Sequence, residues 1–181
     1  PMYTPFHLVV TYKEISKIGK VLLFVTSVLK TFYYCVFRQI DVIHIHTANY
    51  IDFYRNSVLI YIGKLFNKRV LLHIHGGLFN EFYNTHPCFV ASVCRSADAL
   101  VTVSSTFVKM LRRYGLNEHI YCLPNCVEFP ELYRTEQHHN KLRLVFVGRI
   151  NEVKGIYDVL ECLHKYKEQL QDKVELHIGG I

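Results

Sequence analysis

Short runs rich in Val, Ile and Leu alternate with longer stretches of helical period along nearly the whole chain, and this alternation limits the fold more than any other feature. The runs fall at residues 7–11, 41–46, 69–75, 99–104, 119–123, 142–147 and 174–178, and the helical stretches at 20–38, 52–66, 88–95, 106–114 and 155–169. Strands separated by helices cannot pair as hairpins. The crossover connections make the strands parallel and lay helices on both faces of the sheet. The expected fold is therefore α/β, a doubly wound parallel sheet. Composition agrees, because 50% hydrophobic and 20% charged residues over 181 positions is too apolar for a disordered chain.

One segment interrupts the pattern. Residues 128–141, EFPELYRTEQHHNK, are polar, include Pro130 and have no periodic apolar face, which reads as a linker. The expected organisation is a first domain over 1–136 and the beginning of a second over 137–181. The second, with one strand, one helix and one more strand, is too small to bury a core of its own.

The formal net charge is +6, from 21 Lys+Arg against 15 Asp+Glu with His neutral. The excess is spread along the chain, which suits a phosphate-bearing ligand or an anionic surface and offers no basic run for nucleic acid. Six cysteines without a CxxC pair sit mostly in apolar runs, as expected of a reduced cytoplasmic protein. Residues 1–12 lack the basic start and continuous apolar stretch of a signal peptide. Residues 21–37 are apolar apart from Thr26, Ser27, Lys30 and Thr31, and Lys20 and Arg38 flank them. A central lysine costs a membrane span about 2.5–3.5 kcal/mol, so a core helix is the first expectation, a membrane-surface helix the second and a true span the third.

In open α/β sheets, ligands bind beyond the carboxyl ends of the strands. Two neighbouring runs end alike: DVIHIHTANY carries His44 and His46, and RVLLHIHGG carries His73 and His75. With a side-chain period of two, each pair shares one face of its strand. An HxH spacing suits a metal, but no Asp, Glu or Cys stands beside either pair to complete or orient a site. The alternative makes His44 and His73 core histidines bonded to backbone. His46 and His75, at strand tips, are the candidates for an active site, and His75 is followed by Gly76 and Gly77, which permit close backbone approach to a ligand.

In VFVGRINEVKGIYDVLECL a strand runs through Gly148 and Arg149 to Lys154 and Gly155 at a helix start. Unpaired N–H groups and two cations there can hold a diphosphate. The plainer reading is that Arg149 and Lys154 are solvated loop charges. Neither a Walker A loop nor a GxGxxG fingerprint is present.

Taken in order, ADALVTVSS, the helix ending at Gly115, LPNCV, VFVGRINEVKG and VELHIGG resemble the retaining GT-B glycosyltransferases of family 4. Ala97, Asp98, Val101, Ser104, Gly115, Pro124, Asn125, Val127, Gly148, Arg149, Lys154 and Gly155 carry the resemblance, with His75 and Gly76 at an HG step. It runs from about Asp41 to the end of the chain. It implies a GT-B type N-terminal Rossmann-like domain on the acceptor side, followed by the first β-α-β of a second Rossmann-like domain that binds the donor.

The resemblance also implies an activity: transfer of a hexosyl group from a nucleotide-diphosphate sugar to an acceptor hydroxyl, with retention and no bound metal or other cofactor. Arg149, Lys154 and Gly155 then hold the donor diphosphate, and His75 lies beside the transferred sugar. His46, Gly76, Gly77 and Asn125 belong to the acceptor side or its loops. Family members often build polysaccharide or lipopolysaccharide on lipid carriers, which implies a sugar or lipid-linked acceptor and peripheral contact with the inner face of a membrane. No glycine-rich loop precedes His7, the paired donor-gripping glutamates of the family are not found, and Cys126 stands where a glycine is common. The expectation is a transferase clipped at both ends and inactive alone. Two other readings stay open: a non-catalytic phosphate- or nucleotide-binding remnant or interaction module, and a hydrolase using metal held by the HxH pairs.

Overall fold

The aliphatic runs form parallel strands, as their spacing predicts. The computed structural model describes residues 6–48, 50–126 and 141–180. The chain divides into two compact units, Pro1–Val127 and Glu128–Ile181. In the first, β1 (Val42–Thr47), β2 (Arg69–Ile74), β3 (Ala99–Thr102) and β4 (Ile120–Cys122) pair in parallel in that spatial order. α1 (Lys17–Phe37) precedes the sheet, and the connections are α2 (Tyr50–Leu65), then α3 (Phe79–Thr85) with α4 (Pro87–Ser96), then α5 (Ser105–Arg113). In the second unit, β5 (Leu142–Val147) and β6 (Val174–Gly179) pair in parallel across α6 (Ile156–Lys165) and α7 (Lys167–Leu170).

The core of the first unit lies on one face of its sheet. Ile45, Leu72, Ile74 and Leu100 meet side chains from α2 to α5, among them Phe53, Phe82, Val90 and Leu111. Phe53, Phe79 and Phe82 are fully buried, with ring centroids 5.3–6.5 Å apart. Each such ring contributes about 1.5–3 kcal/mol of burial. Asp98, the acid of the ADALVTVS run, has a role in the frame: it accepts the Val70 N–H at 2.7 Å and the Lys64 ammonium at 2.8 Å. It thereby ties the start of β2 to α2 and to the turn before β3.

Four expectations change. Residues 7–11 form no strand, and the His7 ring instead stacks on Tyr34 of α1, centroids 4.5 Å apart. α3 is an additional helix, and the stretch 155–169 is two helices broken at Tyr166. α1 is not a core helix. Its buried side chains are Ser27, Thr31 and Cys35, a small-residue stripe of spacing four, while Ile18, Leu22, Leu29 and Phe37 are 60–75% exposed. It is the helix long and apolar enough to cross a membrane by length and composition among the described residues. The linker expected at 128–141, all but its last residue, and the boundary expected between 136 and 137 lie outside the described residues.

Candidate functional site

Parallel pairing of β1 with β2 places His46 directly opposite His73. Because side chains alternate, His44, His46, His73 and His75 all project from the sheet face opposite the core. They form one cluster at the carboxyl ends of the two strands. His73 is at its centre, with ring centroids 5.4 Å from His44, 4.8 Å from His46 and 4.0 Å from His75. His44 Nε2 lies 3.3 Å from His73 Nδ1, and His46 Nδ1 lies 2.8 Å from His75 Nε2. The reading of His44 and His73 as core histidines bonded to backbone holds for the burial of His73 and is otherwise corrected. His44 is exposed, and the partner of each ring is the other's imidazole. His73 alone is buried, at 4% exposure, and its Nε2 has no hydrogen-bond partner.

Burial first, and then the neighbouring imidazoles, make protonation of His73, His44 and His75 unfavourable. His73 is pushed down from 6.5 to about 4 by burial and by His75, His46 and His44. His44 and His75 are lowered as well, again by burial first. At neutral pH these rings offer lone pairs and N–H groups without charge.

The loop after β1 is held by residues that sequence reasoning missed. Asp52, in the first turn of α2, accepts from the Ala48 N–H at 2.8 Å and the Thr47 hydroxyl at 3.3 Å, and pairs with Arg55. Buried Asn56 donates to the His46 carbonyl at 2.9 Å. An acidic residue early in a helix was the available signal for Asp52; for Asn56 there was none. The glycine of the HG step is explained here too. A Cβ on Gly76 would lie 2.9 Å from the Ala48 carbonyl carbon, so backbone from the β1 loop occupies the side-chain position. Around Gly77 the space is open.

Of the remaining predicted residues, Asn125 is exposed after β4. In the second unit, Gly148 closes β5 by donating its N–H to the Gly179 carbonyl at 3.0 Å. The turn that follows is a 3-10 turn, Glu152–Lys154, whose cap Asn151 accepts the Lys154 N–H at 3.1 Å. Gly155 has φ +73°, the left-handed region that favours glycine, and precedes α6. Arg149, just after β5, and Lys154, on this turn, are both exposed, and among the described residues neither is paired with a carboxylate. Ile150, Asn151, Glu152, Val153 and Tyr157 line a shallow open concavity there. Asp158 in the first turn of α6 already supplies one negative charge to that helix end.

Residues 4–129 match Glycosyltransferase Family 4. The chain belongs to that family. The Family 4 match begins well before Asp41, where the motifs start, and takes in His46, His75, Gly76 and Asn125 while stopping short of Gly148, Arg149 and Lys154. A curated relative, an uncharacterized glycosyltransferase of Methanocaldococcus jannaschii, is 26% identical over 156 residues. That alignment covers 71% of this chain, and the chain spans about 38% of the length of the relative. Residues 4–129 are thus a Family 4 glycosyltransferase domain, and the imidazole cluster in it stands at the strand ends where such α/β sheets bind ligands.

Proposed function

We propose that the protein transfers a hexosyl group from a nucleotide-diphosphate sugar to an acceptor hydroxyl with retained configuration, in the building of a polysaccharide or lipopolysaccharide. The observation that carries this reading is the His46–His75 contact at 2.8 Å, at the carboxyl ends of two strands of a Family 4 domain. With its Nε2 engaged by His46, His75 keeps Nδ1 for a sugar hydroxyl. In the reaction the bond from the anomeric carbon to the diphosphate breaks and the acceptor oxygen bonds to that carbon. The acceptor proton ends on the released diphosphate or in solvent.

Negative charge grows on the departing diphosphate, and preorganised cations aimed at it are the largest electrostatic need of the step. Arg149 and Lys154, exposed and unpaired with carboxylates among the described residues, fit that role, with Gly155 opening the helix beside them. Two side-chain cations meet the charge, so the reading calls for no metal or other cofactor in donor binding. His46, Gly76, Gly77 and Asn125 are assigned to the acceptor side and its loops. The acceptor is a sugar or lipid-linked sugar. The apolar outer face of α1, with Lys17, Lys20 and Lys30 along it and Arg38 after it, supports peripheral contact with the inner face of a membrane. Six free cysteines support the cytoplasmic side.

The test is calorimetric titration of the purified chain with UDP and with GDP in metal-free buffer, on wild type and on Arg149→Ala with Lys154→Ala. Binding to one nucleotide that falls at least tenfold in the double variant supports the diphosphate role. Equal binding in both removes Arg149 and Lys154 from the donor site. Transfer from the matching nucleotide sugar by this chain, at a rate comparable with a full-length relative, would overturn the expectation that it is inactive alone.

A further inference from the structure

We propose that one ring nitrogen each of His44, His46 and His73 forms a binding site for a transition-metal ion of the zinc class. The three candidate nitrogens lie within 4.8 Å of one another, two of the residues open to solvent and one buried. Two nitrogens bound to zinc at 2.0–2.1 Å in tetrahedral geometry are about 3.3 Å apart. His44 Nε2 and His73 Nδ1 are already 3.3 Å apart.

The second observation is His73 itself. It is 4% exposed and in ring contact with the other three imidazoles, and its Nε2 is buried without a partner. Buried polar atoms are nearly always partnered. Coordination through Nε2 supplies the missing partner, whereas coordination through Nδ1, the nitrogen 3.3 Å from His44 Nε2, leaves Nε2 unpartnered, so the two observations support alternative binding modes of the one ring. The third is His75. Histidine ligands are typically oriented by a hydrogen bond from their other ring nitrogen. The sequence placed no carboxylate or thiol beside the HxH pairs, but the fold supplies the orienting group: His46 Nδ1 meets His75 Nε2 at 2.8 Å, leaving His46 Nε2 for the ion.

The donor set decides the class of ion. Three imidazole nitrogens suit Zn(II), Cu(II), Ni(II) or Co(II), and are wrong for Mg(II) or Ca(II), which take oxygen. Three protein ligands leave a position open on the solvent side, where His44 and His46 are exposed. The inference does not depend on the transferase reading, and no step of sugar transfer passes through the ion. Its effect on the cluster is to hold the His46 ring, and with it the contact to His75.

The test is titration of the chain, free of any polyhistidine tag, with Co(II) alone, followed by displacement with Zn(II). Expected are saturation at one equivalent, visible bands of a low-coordinate nitrogen site and no thiolate charge-transfer band from the free cysteines. His44→Asn, at an exposed position that does not threaten the fold, should abolish saturable binding. His75→Asn should weaken it by about 10–100-fold, the usual effect of losing an orienting partner. His119→Asn, outside the cluster, should leave it unchanged. Absence of saturable uptake by wild type, a thiolate band, or undiminished binding in His44→Asn overturns the proposal.

Discussion

His46 and His75 face one another across the carboxyl ends of β1 and β2 with Nδ1 and Nε2 2.8 Å apart, so one ring must present a lone pair to the other's N–H. A doubly protonated pair cannot make that bond. His73 sits against both, alongside His44, and is pushed down to about 4.

Stability should therefore depend on pH in a definite direction. Between 6.5 and about 4 the unfolded chain binds protons that folded His73 does not, so the stabilisation is complete above 6.5 and drains away as pH falls toward 4. His44 and His75, lowered in the same sense, add to the slope. Urea denaturation midpoints at half-unit steps of pH should fall through this window, and His73→Leu should flatten the fall. A midpoint that rises on acidification from pH 6.5 contradicts the assignment.

Gly76→Ala should destabilise the first unit by about 1–3 kcal/mol, the usual cost of forcing atoms into a packed position. The obstruction is Ala48 backbone at 2.9 Å, which cannot rotate aside as a side chain can. Gly77→Ala, with open space around the site, is the matched control and should change stability little. Equal denaturation midpoints for the two variants would refute the close-approach argument.

Asp98→Ala should cost about 1–2 kcal/mol, chiefly because the Val70 N–H loses its acceptor. The half-exposed Lys64 pair adds little. Burial alone would raise the Asp98 carboxyl, but Lys64 and the Val70 N–H hold it below 3.8. Its contribution is present above that value and lost as pH falls further. Hydrogen exchange at the Val70 amide, faster in the variant, is the local readout.

Leu22→Glu with Leu29→Glu should abolish partition onto anionic vesicles while leaving the thermal midpoint nearly unchanged. Both side chains are about three-fifths exposed, so neither charge enters the core. Sedimentation with phosphatidylserine-containing vesicles checks it. Undiminished partition would exclude this face of α1 as the lipid contact.

Most of the frame was legible because it rests on period. Alternation located β1 to β6, and the crossovers dictated parallel pairing. Residues 7–11 misled because an aliphatic run becomes a strand only with a partner, and no local signal says whether one exists. α1 misled in the opposite direction: apolar composition suggested the interior, yet its packing stripe is the small-residue series Ser27, Thr31 and Cys35. α3 escaped notice because seven residues, FNEFYNT, are too short to show a period, although Phe79 and Phe82 are fully buried.

The site was half legible. A period of two put His44 with His46 and His73 with His75, but the placement of His46 opposite His73 is a matter of strand register, which sequence does not state. The support from Asn56 was invisible for a related reason, a polar side chain on a helix reading as solvated until the loop it holds is in place, and Asp52 offered only its place in the first turn of α2.

The grip of Asp98 on the Val70 amide reaches further than its own neighbourhood. A strand advances about 3.3 Å per residue, so an anchor at Val70 decides where His75 lands, about 17 Å along. A slip of one residue would turn the imidazole row over and present Leu72 and Ile74 in its place. The carboxylate thus acts as a datum for the strand: remote from the cluster, it sets which chemistry the far end of β2 displays.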